Sequence, residues 1–467
     1  MRRSVAEPKP QADATGVARE GGPSRVGGTA APAWLAPAAV VALALALRVT
    51  MVLADDGYVP ANDPFQYDSI ARSIAAGDGY PRSDLLLQGG PTAFRGPGYP
   101  YVLGAVYAVS GDSVTTGRLV GAALGAIAVL LVYLIARRIW GREVGLVAAA
   151  LAAVFPPLVL VSRELLSEPL FIAMLLAAVL SVLSFRASGE TRWAAVAGAL
   201  CGVAILTRSV GVVVLVPLAI GVWTLRPRLS GRGVLAPALV VACAALVVAP
   251  WAIRNQVEFG RFVPVTTSGG YTAAGTYNEA ALADADAHGA WRNPQLVPEY
   301  SRLFVREGID EATVDATLRR EAREVAREHP GYVAEVISWN LLRVFEIAGG
   351  AVRGPTGAVV DDRGVGSETP VAERVGIAIA AALALVGLLA IFRSRWGGAD
   401  SRAGGGVMVP GGPVFLWLVP ILLVVATLPF VGLPRYRLPA DPFLLILAAI
   451  GMTWIWDRID GRRGDSA

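Results

Sequence analysis

About ten long apolar runs divide this 467-residue chain, and they constrain its fold more than any other feature. A helix needs about 20 apolar residues to cross the hydrocarbon core of a bilayer. With 54% hydrophobic and 17% charged residues, the chain also differs from soluble domains, in which about one quarter of residues are charged. We therefore predict an all-α polytopic membrane protein with about ten transmembrane helices. The runs occupy roughly 33–54, 114–136, 143–161, 168–185, 193–207, 210–225, 233–251, 371–392, 412–430 and 438–457.

The arginines favour one orientation in the membrane. If the N-terminus is cytoplasmic and ten spans follow, nearly all arginines of the short loops and ends lie on the inner side, as the positive-inside rule requires. The exceptions are Arg435 and Arg437. The inner clusters are Arg137, Arg138 and Arg142; Arg186 and Arg192; Arg226, Arg228 and Arg232; Arg393, Arg395 and Arg402; and Arg458, Arg462 and Arg463.

The apolar stretch 99–111 is too short to span, and counting it as a span would move the other clusters outside. Its Tyr99, Leu103, Val106 and Tyr107 share one helical face, which predicts a helix lying in the headgroup plane.

These spans predict five parts of the chain. Residues 1–32 form a disordered cytoplasmic tail, since they are rich in Ala, Gly, Pro and Arg and lack the features of a signal peptide. Residues 33–251 form an N-terminal transmembrane module with a large outer loop at 55–113. Residues 252–370 form an extracytoplasmic region with helical patterns at 310–328 and 331–347. Residues 371–458 contain the C-terminal transmembrane helices, and 459–467 are a second cytoplasmic tail.

Composition excludes several classes of function. The net charge of +4 is too small to indicate nucleic-acid binding, and arginines at membrane edges explain it. Cys201 and Cys243 fall in apolar runs, which argues against a disulfide framework. His288 and His329 lack metal-ligand spacing. We therefore predict no cofactor; a divalent metal is compatible with the sequence but not indicated.

The segment after Asp63 predicts an amphipathic helix on the membrane surface. Pro64 suits the first helical position, and an apolar stripe begins at Tyr67. Asp63 then has two interpretations: it caps the helix, or it is a catalytic acid. The neighbouring Asp68 lies one position beyond Tyr67 and is expected to tolerate substitution.

In the ten-span topology, several charged and polar residues meet at the outer membrane edge. An acid that faces several arginines at this level suits a substrate carrying a phosphate and a hydroxyl to be deprotonated. Alternatively, Arg208 and Arg254 are snorkelling residues at helix ends. Glu168 has an alternative interpretation as well, as an acid favoured at the start of a helix by the helix dipole. Arg48, inside the first span, is a weaker candidate whose long stem reaches toward the outer interface. The edge residues are Asp63, Arg95, Tyr99, Glu168, Arg208, Arg254, Asn255, Arg435 and Arg437.

The order of short motifs resembles that of the bacterial GT-C glycosyltransferases related to the protein O-mannosyltransferases and the lipid A aminoarabinose transferase. These motifs are "DPFQYDSIARSIAAGDGY", "RGPGYP", "SEP", "LTR", "PWAIRNQVEFGRF", "TSGG" and "PRYRLP". They extend over most of 33–460 and indicate a superfamily rather than a substrate. The chain departs from the family where Pro64 follows the first acid, since a second acid often stands there.

The resemblance implies inverting transfer of a sugar from a polyprenyl-phosphate donor to an extracytoplasmic acceptor. The acceptor is an envelope glycan, lipid or protein. Asp63 and Glu168 are then the expected catalytic residues, and Arg95, Tyr99, Arg208, Arg254, Asn255, Arg435 and Arg437 the expected substrate-binding ones. The expected location is a bacterial plasma membrane, with the active site facing outward and membrane lipids around it. The alternatives are a transporter or flippase of lipid-linked sugars and an inactive scaffold.

Overall fold

The computed structural model describes residues 32–224, 230–349, 352–353, 359–360, 370–396 and 411–464. The predicted tail at 1–32 lies almost entirely outside these residues, as do the last three residues of the predicted tail at 459–467. Residues 36–464 belong to one compact unit of the chain.

Helices account for almost all of the regular structure in the described residues. The outer loop 55–113 contributes α2 and α3, and the predicted extracytoplasmic region 252–370, called the polar region below, contributes α11 to α15. The helices are α1 Leu35–Ala54, α2 Asp63–Ala76, α3 Gly98–Ser110, α4 Val114–Trp140, α5 Arg142–Val154, α6 Pro156–Val161, α7 Glu168–Ser188, α8 Thr191–Thr207, α9 Leu215–Val222, α10 Gly231–Phe259, α11 Gly269–Thr276, α12 Glu279–Leu282, α13 Pro298–Val305, α14 Glu311–Glu328, α15 Pro330–Val344, α16 Pro370–Trp396, α17 Val414–Thr427 and α18 Asp441–Gly464. Short 3₁₀ helices cover Ser209–Val214, Pro294–Leu296 and Pro434–Arg437.

The described helices confirm the predicted polytopic all-α class. Six of them, α1, α4, α7, α10, α16 and α18, are long and apolar enough to cross a membrane. Three shorter apolar segments lie where the sequence predicts further spans, at Thr191–Thr207, Ser209–Val222 and Val414–Thr427. The remaining predicted span, 143–161, is interrupted between α5 and α6.

Prolines cause this interruption, and Arg48 of α1 stabilises it. Pro156 has no N–H and restricts Phe155, which adopts an extended conformation (φ −64°, ψ 114°) and ends α5. Arg48 is 1% exposed and donates to the carbonyl oxygens of Ala152 (3.3 Å) and Ala153 (3.0 Å). These carbonyls belong to the last turn of α5, which has no helical partners for them. The prediction that Arg48 reaches the outer interface is therefore wrong.

Helices α2 and α3 exist as predicted, but their apolar faces are buried in protein. Tyr67 and Ala71 of α2 and Leu103 of α3 are at most 5% exposed, and the two helices pack together. The two helices approach closely at Gly104, where an added Cβ would lie 2.8 Å from the Ile74 side chain. The prediction that α2 lies with this face on the membrane is therefore wrong. The sequence did not reveal the error, because burial in lipid and burial in protein require the same apolar pattern.

Asp68, predicted to tolerate substitution, is buried and paired in the structure. It is 8% exposed, accepts a 2.7 Å hydrogen bond from the Tyr107 hydroxyl and pairs with Arg72 at 2.7 Å. Asp68 therefore joins α2 to α3.

The polar region has a hydrophobic core of its own, distinct from that of the long apolar helices. Helices α14 and α15 agree with the two predicted helical patterns, and α10 continues eight residues past the predicted end of its span at 251. A small sheet in the order β1–β2–β3 pairs Trp291–Arg292 in parallel with Val352–Arg353, which pairs antiparallel with Val359–Val360. The core side chains include Phe94, Tyr277, Tyr300, Phe304, Leu318 and Tyr332. Phe94 ties the catalytic loop candidate 55–113 to this core.

Candidate active site

Asp63 faces two arginines and does not cap its helix. The helix α2 begins at Asp63 itself, and Asn62 occupies the N-cap position with φ +54° and no side-chain cap hydrogen bond. The Asp63 carboxylate accepts from Arg95 through one oxygen and from Arg435 through the other. The predicted capping role is therefore wrong, and the negative charge of Asp63 is directed at guanidinium groups.

The arginines keep Asp63 ionised. Burial opposes its ionisation, but the charges of Arg435 and Arg95 outweigh burial and hold the pKa of Asp63 below its usual range. These ion pairs thus stabilise the folded protein above the pKa of an unfolded aspartate, about 3.9. The contribution is lost as the pH falls toward the lower pKa of the folded state.

Glu168 lies in the same cluster, at the first residue of α7. It is 0% exposed and forms an ion pair with Arg208, while the Arg435 Nε lies 3.6 Å from the same carboxylate. Arg435 therefore contacts both acids. The cluster thus has a surplus of one positive charge in a largely buried location. Its five side chains are Asp63, Glu168, Arg95, Arg208 and Arg435.

Polar side chains extend the cluster between α2, α3 and α7. The Tyr67 hydroxyl lies 3.1 Å from Ser167 Oγ, to which Arg208 donates at 3.3 Å. The Tyr99 ring packs edge-on against Tyr67 with centroids 5.1 Å apart. Tyr99 is 0% exposed, and its hydroxyl has no hydrogen-bond partner among the described residues. Buried hydroxyls are normally satisfied, so the Tyr99 hydroxyl is an exception among the described residues.

Two glycines of "RGPGYP" bring Arg95 and Arg208 together. A Cβ on Gly96 would lie 2.5 Å from the Leu206 carbonyl oxygen, and one on Gly98 would lie 2.6 Å from Thr207 Oγ1. Both contacts involve the last residues of α8, directly before Arg208. The motif "RGPGYP" therefore packs against the motif "LTR", and only glycine allows the approach.

Gly96→Ala should lower both the stability and the sugar transfer that the motif resemblance implies, since a methyl group there would force the loop off the backbone of α8. Overpacking of this kind costs about 1–3 kcal/mol. The midpoint of thermal unfolding in detergent and the transfer rate would measure the two effects. Gly57→Ala is the matched control in the same loop, because no atom lies within 4 Å of its added Cβ. Equal behaviour of the two variants would contradict this packing.

Arg254 and Asn255 lie behind the cluster and support its loop. Arg254 donates to the Thr92 carbonyl oxygen at 2.8 Å and stacks on Trp251, 4.9 Å from the ring centroid. Asn255 is 0% exposed and donates to the Val263 carbonyl oxygen at 3.0 Å. Their contacts thus hold the backbone of the outer loop at Thr92 and that of the segment after α10 at Val263.

Arg437 belongs to a neighbouring ion-pair group. It is 2% exposed, pairs with Asp441 at 2.8 Å and donates to the Val344 carbonyl oxygen at 2.6 Å. Its guanidinium also lies 3.8 Å from Glu346. Although only Tyr436 separates Arg435 from Arg437, the structure directs Arg435 to Asp63 and Arg437 to the junction of α15 and α18.

Sequence reasoning missed two residues that position the site. Gln66 accepts from Arg95 Nε at 2.6 Å, and its place three residues after Asp63 on the same helical face was a usable signal. Glu311, 1% exposed, accepts from Ser83, from the Ala93 amide (3.0 Å) and from Thr267 (2.9 Å). No local pattern marks Glu311, because its partners come from distant parts of the chain.

The described residues contain no group of three or more His, Cys, Asp or Glu side chains that could hold a metal ion. Asp63 and Glu168 are instead engaged by arginines. The absence of a cofactor stays a prediction.

The fold and the comparisons define the class of this chain. It is an all-α polytopic membrane protein of GT-C-like fold with juxtamembrane helices on one side. Residues 94–253 match the family model described as dolichyl-phosphate-mannose-protein mannosyltransferase, and this match confirms the resemblance predicted from the motifs. A comparison with curated proteins found no match.

Two oligosaccharyltransferase structures share this fold at low sequence identity, and a third solved structure shows a weaker similarity. The Archaeoglobus fulgidus oligosaccharyltransferase in the apo form aligns with a TM-score of 0.52 and 14% identity, over 93% of this chain and 52% of that chain. The archaeal oligosaccharyltransferase AglB from Archaeoglobus fulgidus, in complex with an inhibitory peptide and a dolichol-phosphate, aligns with a TM-score of 0.50 and 15% identity, over 92% and 51%. ArnT from Cupriavidus metallidurans bound to undecaprenyl phosphate aligns at 0.41 and 15% identity, over 91% and 78%. The chain thus spans about half the length of the oligosaccharyltransferase structures.

Proposed function

We propose that this protein is a membrane glycosyltransferase that moves a sugar from a polyprenyl-phosphate donor to an extracytoplasmic acceptor. The observation that carries the proposal is the cluster of Asp63 and Glu168 with Arg95, Arg208 and Arg435. The family match at 94–253 supports it, since that stretch includes Arg95, Glu168 and Arg208. The oligosaccharyltransferase fold and the dolichol-phosphate in the AglB complex support a lipid-phosphate donor.

The surplus positive charge of the cluster suits the leaving group. In the proposed reaction, the bond between the anomeric carbon and the phosphate oxygen breaks, and the phosphate departs as an anion. Arginine guanidinium groups bind phosphate oxygens through paired hydrogen bonds. In a largely buried cluster, such fixed charges stabilise the departing phosphate more than water would. Arg95, Arg208 and Arg435 have this role in the proposal.

Asp63 is the proposed base. The nucleophilic group of the acceptor attacks the anomeric carbon on the face opposite the phosphate, which inverts the configuration, and its proton passes to the Asp63 carboxylate. A carboxylate held by two arginines is a weak base. When the donor phosphate draws Arg95 and Arg435 toward itself, the pKa of Asp63 rises, so that donor binding prepares the base for the acceptor.

Glu168 is a catalytic candidate from the sequence, and its surroundings support a positioning role. Its carboxylate, which is not exposed, holds Arg208 and lies near Arg435. In the proposal it orients both guanidinium groups toward the phosphate. Tyr99, whose hydroxyl has no hydrogen-bond partner in the described part of the chain, donates to the sugar donor in this proposal. Arg254 and Asn255 support the loop around Arg95, and Arg437 supports the segment around Arg435.

The proposed setting is a bacterial plasma membrane with the site facing outward. Arginines of the loops between α4 and α5 and between α7 and α8 lie at the opposite ends of these helices from Glu168 and the cluster, as the positive-inside rule expects. The acceptor is an envelope glycan, lipid or protein.

A transfer assay tests the function. Purified protein in vesicles receives polyprenyl-phosphate sugars and an envelope extract as a source of acceptors. A transferase releases free polyprenyl phosphate and places the labelled sugar on a new product. A flippase moves the labelled lipid across the bilayer without releasing polyprenyl phosphate, and that result would overturn the proposal. Mass spectrometry of envelope glycans from a deletion strain would then identify the acceptor.

A further inference from the structure

A groove rich in arginine lies on the polar region at the end of the spanning helix α10. It has a volume of about 350 Å³ and lies between residues 261–266 and α14. Its charged lining consists of Arg261, Arg319, Arg320, Arg323 and Asp315. None of these arginines belongs to the Asp63 cluster, so the groove requires a separate explanation.

The charges of the groove favour an anionic ligand. Asp315 is already engaged, because it pairs with Arg319 at 2.6 Å and accepts from the Gly270 amide. Arg320 lies 3.6 Å from Glu321 and 4.0 Å from Glu324, and its side chain is 64% exposed, so these pairs are weak. Four arginines against one acid leave a surplus of three positive charges in the lining.

The position of the groove favours a lipid headgroup as the source of that anion. Helix α10 ends at Phe259, and Gly260 (φ +65°) turns the chain out of the span. Arg261 and Phe262 follow at once. The 29 residues of α10 extend for about 44 Å, close to the thickness of a bilayer with both headgroup layers, about 40–45 Å. The end of α10 and the entrance to the groove therefore lie at the outer edge of the headgroup layer.

The apolar surface of α10 continues to the groove. Ile253 and Val257 are spaced to share one helical face and are 63% and 78% exposed, as side chains in contact with lipid are. Phe262, in the lining of the groove, is 73% exposed. An exposed aromatic side chain beside arginines at the membrane interface is typical of surfaces that hold acyl chains below and anionic headgroups above.

From this geometry we infer that the groove binds the phosphate-bearing headgroup of an anionic phospholipid in the leaflet at the C-terminal end of α10. Its phosphate contacts Arg261, Arg320 and Arg323, while its acyl chains follow Phe262 and the exposed face of α10. The site is independent of the proposed transfer reaction. The groove also contacts a segment that holds the outer loop 55–113. Arg261 lies 3.5 Å from the carbonyl oxygen of Ala312. The residue before Ala312, Glu311, accepts hydrogen bonds from residues 83 and 93 of that loop.

Ligand-dependent stabilisation of the full chain in a neutral detergent tests this inference. The probe is dioctanoyl-phosphatidylglycerol, compared with dioctanoyl-phosphatidylcholine and with inorganic phosphate at matched ionic strength. A ligand that binds the folded state alone raises the thermal midpoint as its concentration exceeds its Kd. We expect phosphatidylglycerol to raise the midpoint and the other two compounds to leave it nearly unchanged.

The triple variant Arg261→Gln, Arg320→Gln, Arg323→Gln should lose this shift. The matched control Arg302→Gln, Arg306→Gln, Arg327→Gln removes the same charge from exposed positions outside the groove and should retain it. Arg323→Gln alone repeats the test if the triple variant yields no folded protein. An equal shift in the groove variant, or an equal shift with phosphatidylcholine, would overturn the inference. An equal shift with inorganic phosphate would show a simple anion site and overturn the lipid assignment.

Discussion

Asp63→Asn should lower the turnover of sugar transfer by about 10²–10⁴-fold, the usual contribution of a positioned base. Asparagine has nearly the same size and hydrogen-bonds to arginine, but it does not accept a proton. Because Arg95 and Arg435 would no longer be neutralised, a donor phosphate should bind this variant at least as tightly as it binds the natural protein. Turnover and the Kd for polyprenyl phosphate, measured on one preparation, separate these two effects.

The control for this variant is Asp56→Asn. Asp56 is exposed in the same outer loop, whereas Asp68 is unsuitable because it joins α2 to α3. A role of Asp63 in charge balance alone predicts a different pattern, in which donor affinity and thermal stability fall together with turnover. Normal turnover in Asp63→Asn would reject Asp63 as the base.

Arg435→Gln should have the second largest effect, because Arg435 is the group that contacts both acids. Its loss leaves two positive and two negative charges in the cluster, so the surplus that favours phosphate is lost. We expect weaker donor binding and a decrease in kcat/KM of about 10²–10³-fold, the usual cost of removing one donor from a site that stabilises a developing anion. Arg435→Lys should recover part of the affinity, since one ammonium group keeps the charge but does not reproduce the planar fork.

A second change separates catalysis from folding in this experiment. Arg435→Gln leaves Asp63 paired with Arg95 and Glu168 paired with Arg208, so the buried charges keep partners and the fold should be retained. Adding Glu168→Gln should instead lower the thermal stability, because it leaves Arg208 without its acid, and it should not restore transfer. Arg192→Gln, at an exposed site near the other end of α7, is the background control. Natural donor affinity in Arg435→Gln would reject its proposed contact with phosphate.

The helices and the convergence of charged motifs could be predicted from the sequence, because hydrophobic run length and loop arginines are local signals. The topology places the outer ends of the apolar segments on one side of the membrane. Four residues of the cluster follow or precede such segments, namely Asp63, Arg95, Arg208 and Arg435. The choice between Arg435 and Arg437 was beyond sequence reasoning. Both lie in one 3₁₀ turn, and their directions depend on Asp63 and Asp441, which belong to different parts of the fold.

Two further errors have physical causes. The apolar face of α2 has the same pattern whether it meets lipid or α3, so periodicity alone did not decide which neighbour covers it. The start of α2 differs from the prediction by one residue, a common uncertainty at helix ends. Here that single residue moves Asp63 from the cap into the helix and leaves its carboxylate with the arginines.

The Asp63–Arg435 pair joins residues 372 positions apart, and this separation affects how the protein is made. At about 5–20 residues per second, ribosomes need roughly 20–75 s to extend the nascent chain from Asp63 to Arg435. Asp63, Arg95, Glu168 and Arg208 are made during that interval, and Arg435 is the last member of the cluster to be synthesised. The cluster is therefore completed only after the segment Pro434–Arg437 has been made, and a chain that stops before residue 435 would never assemble its full set of charges.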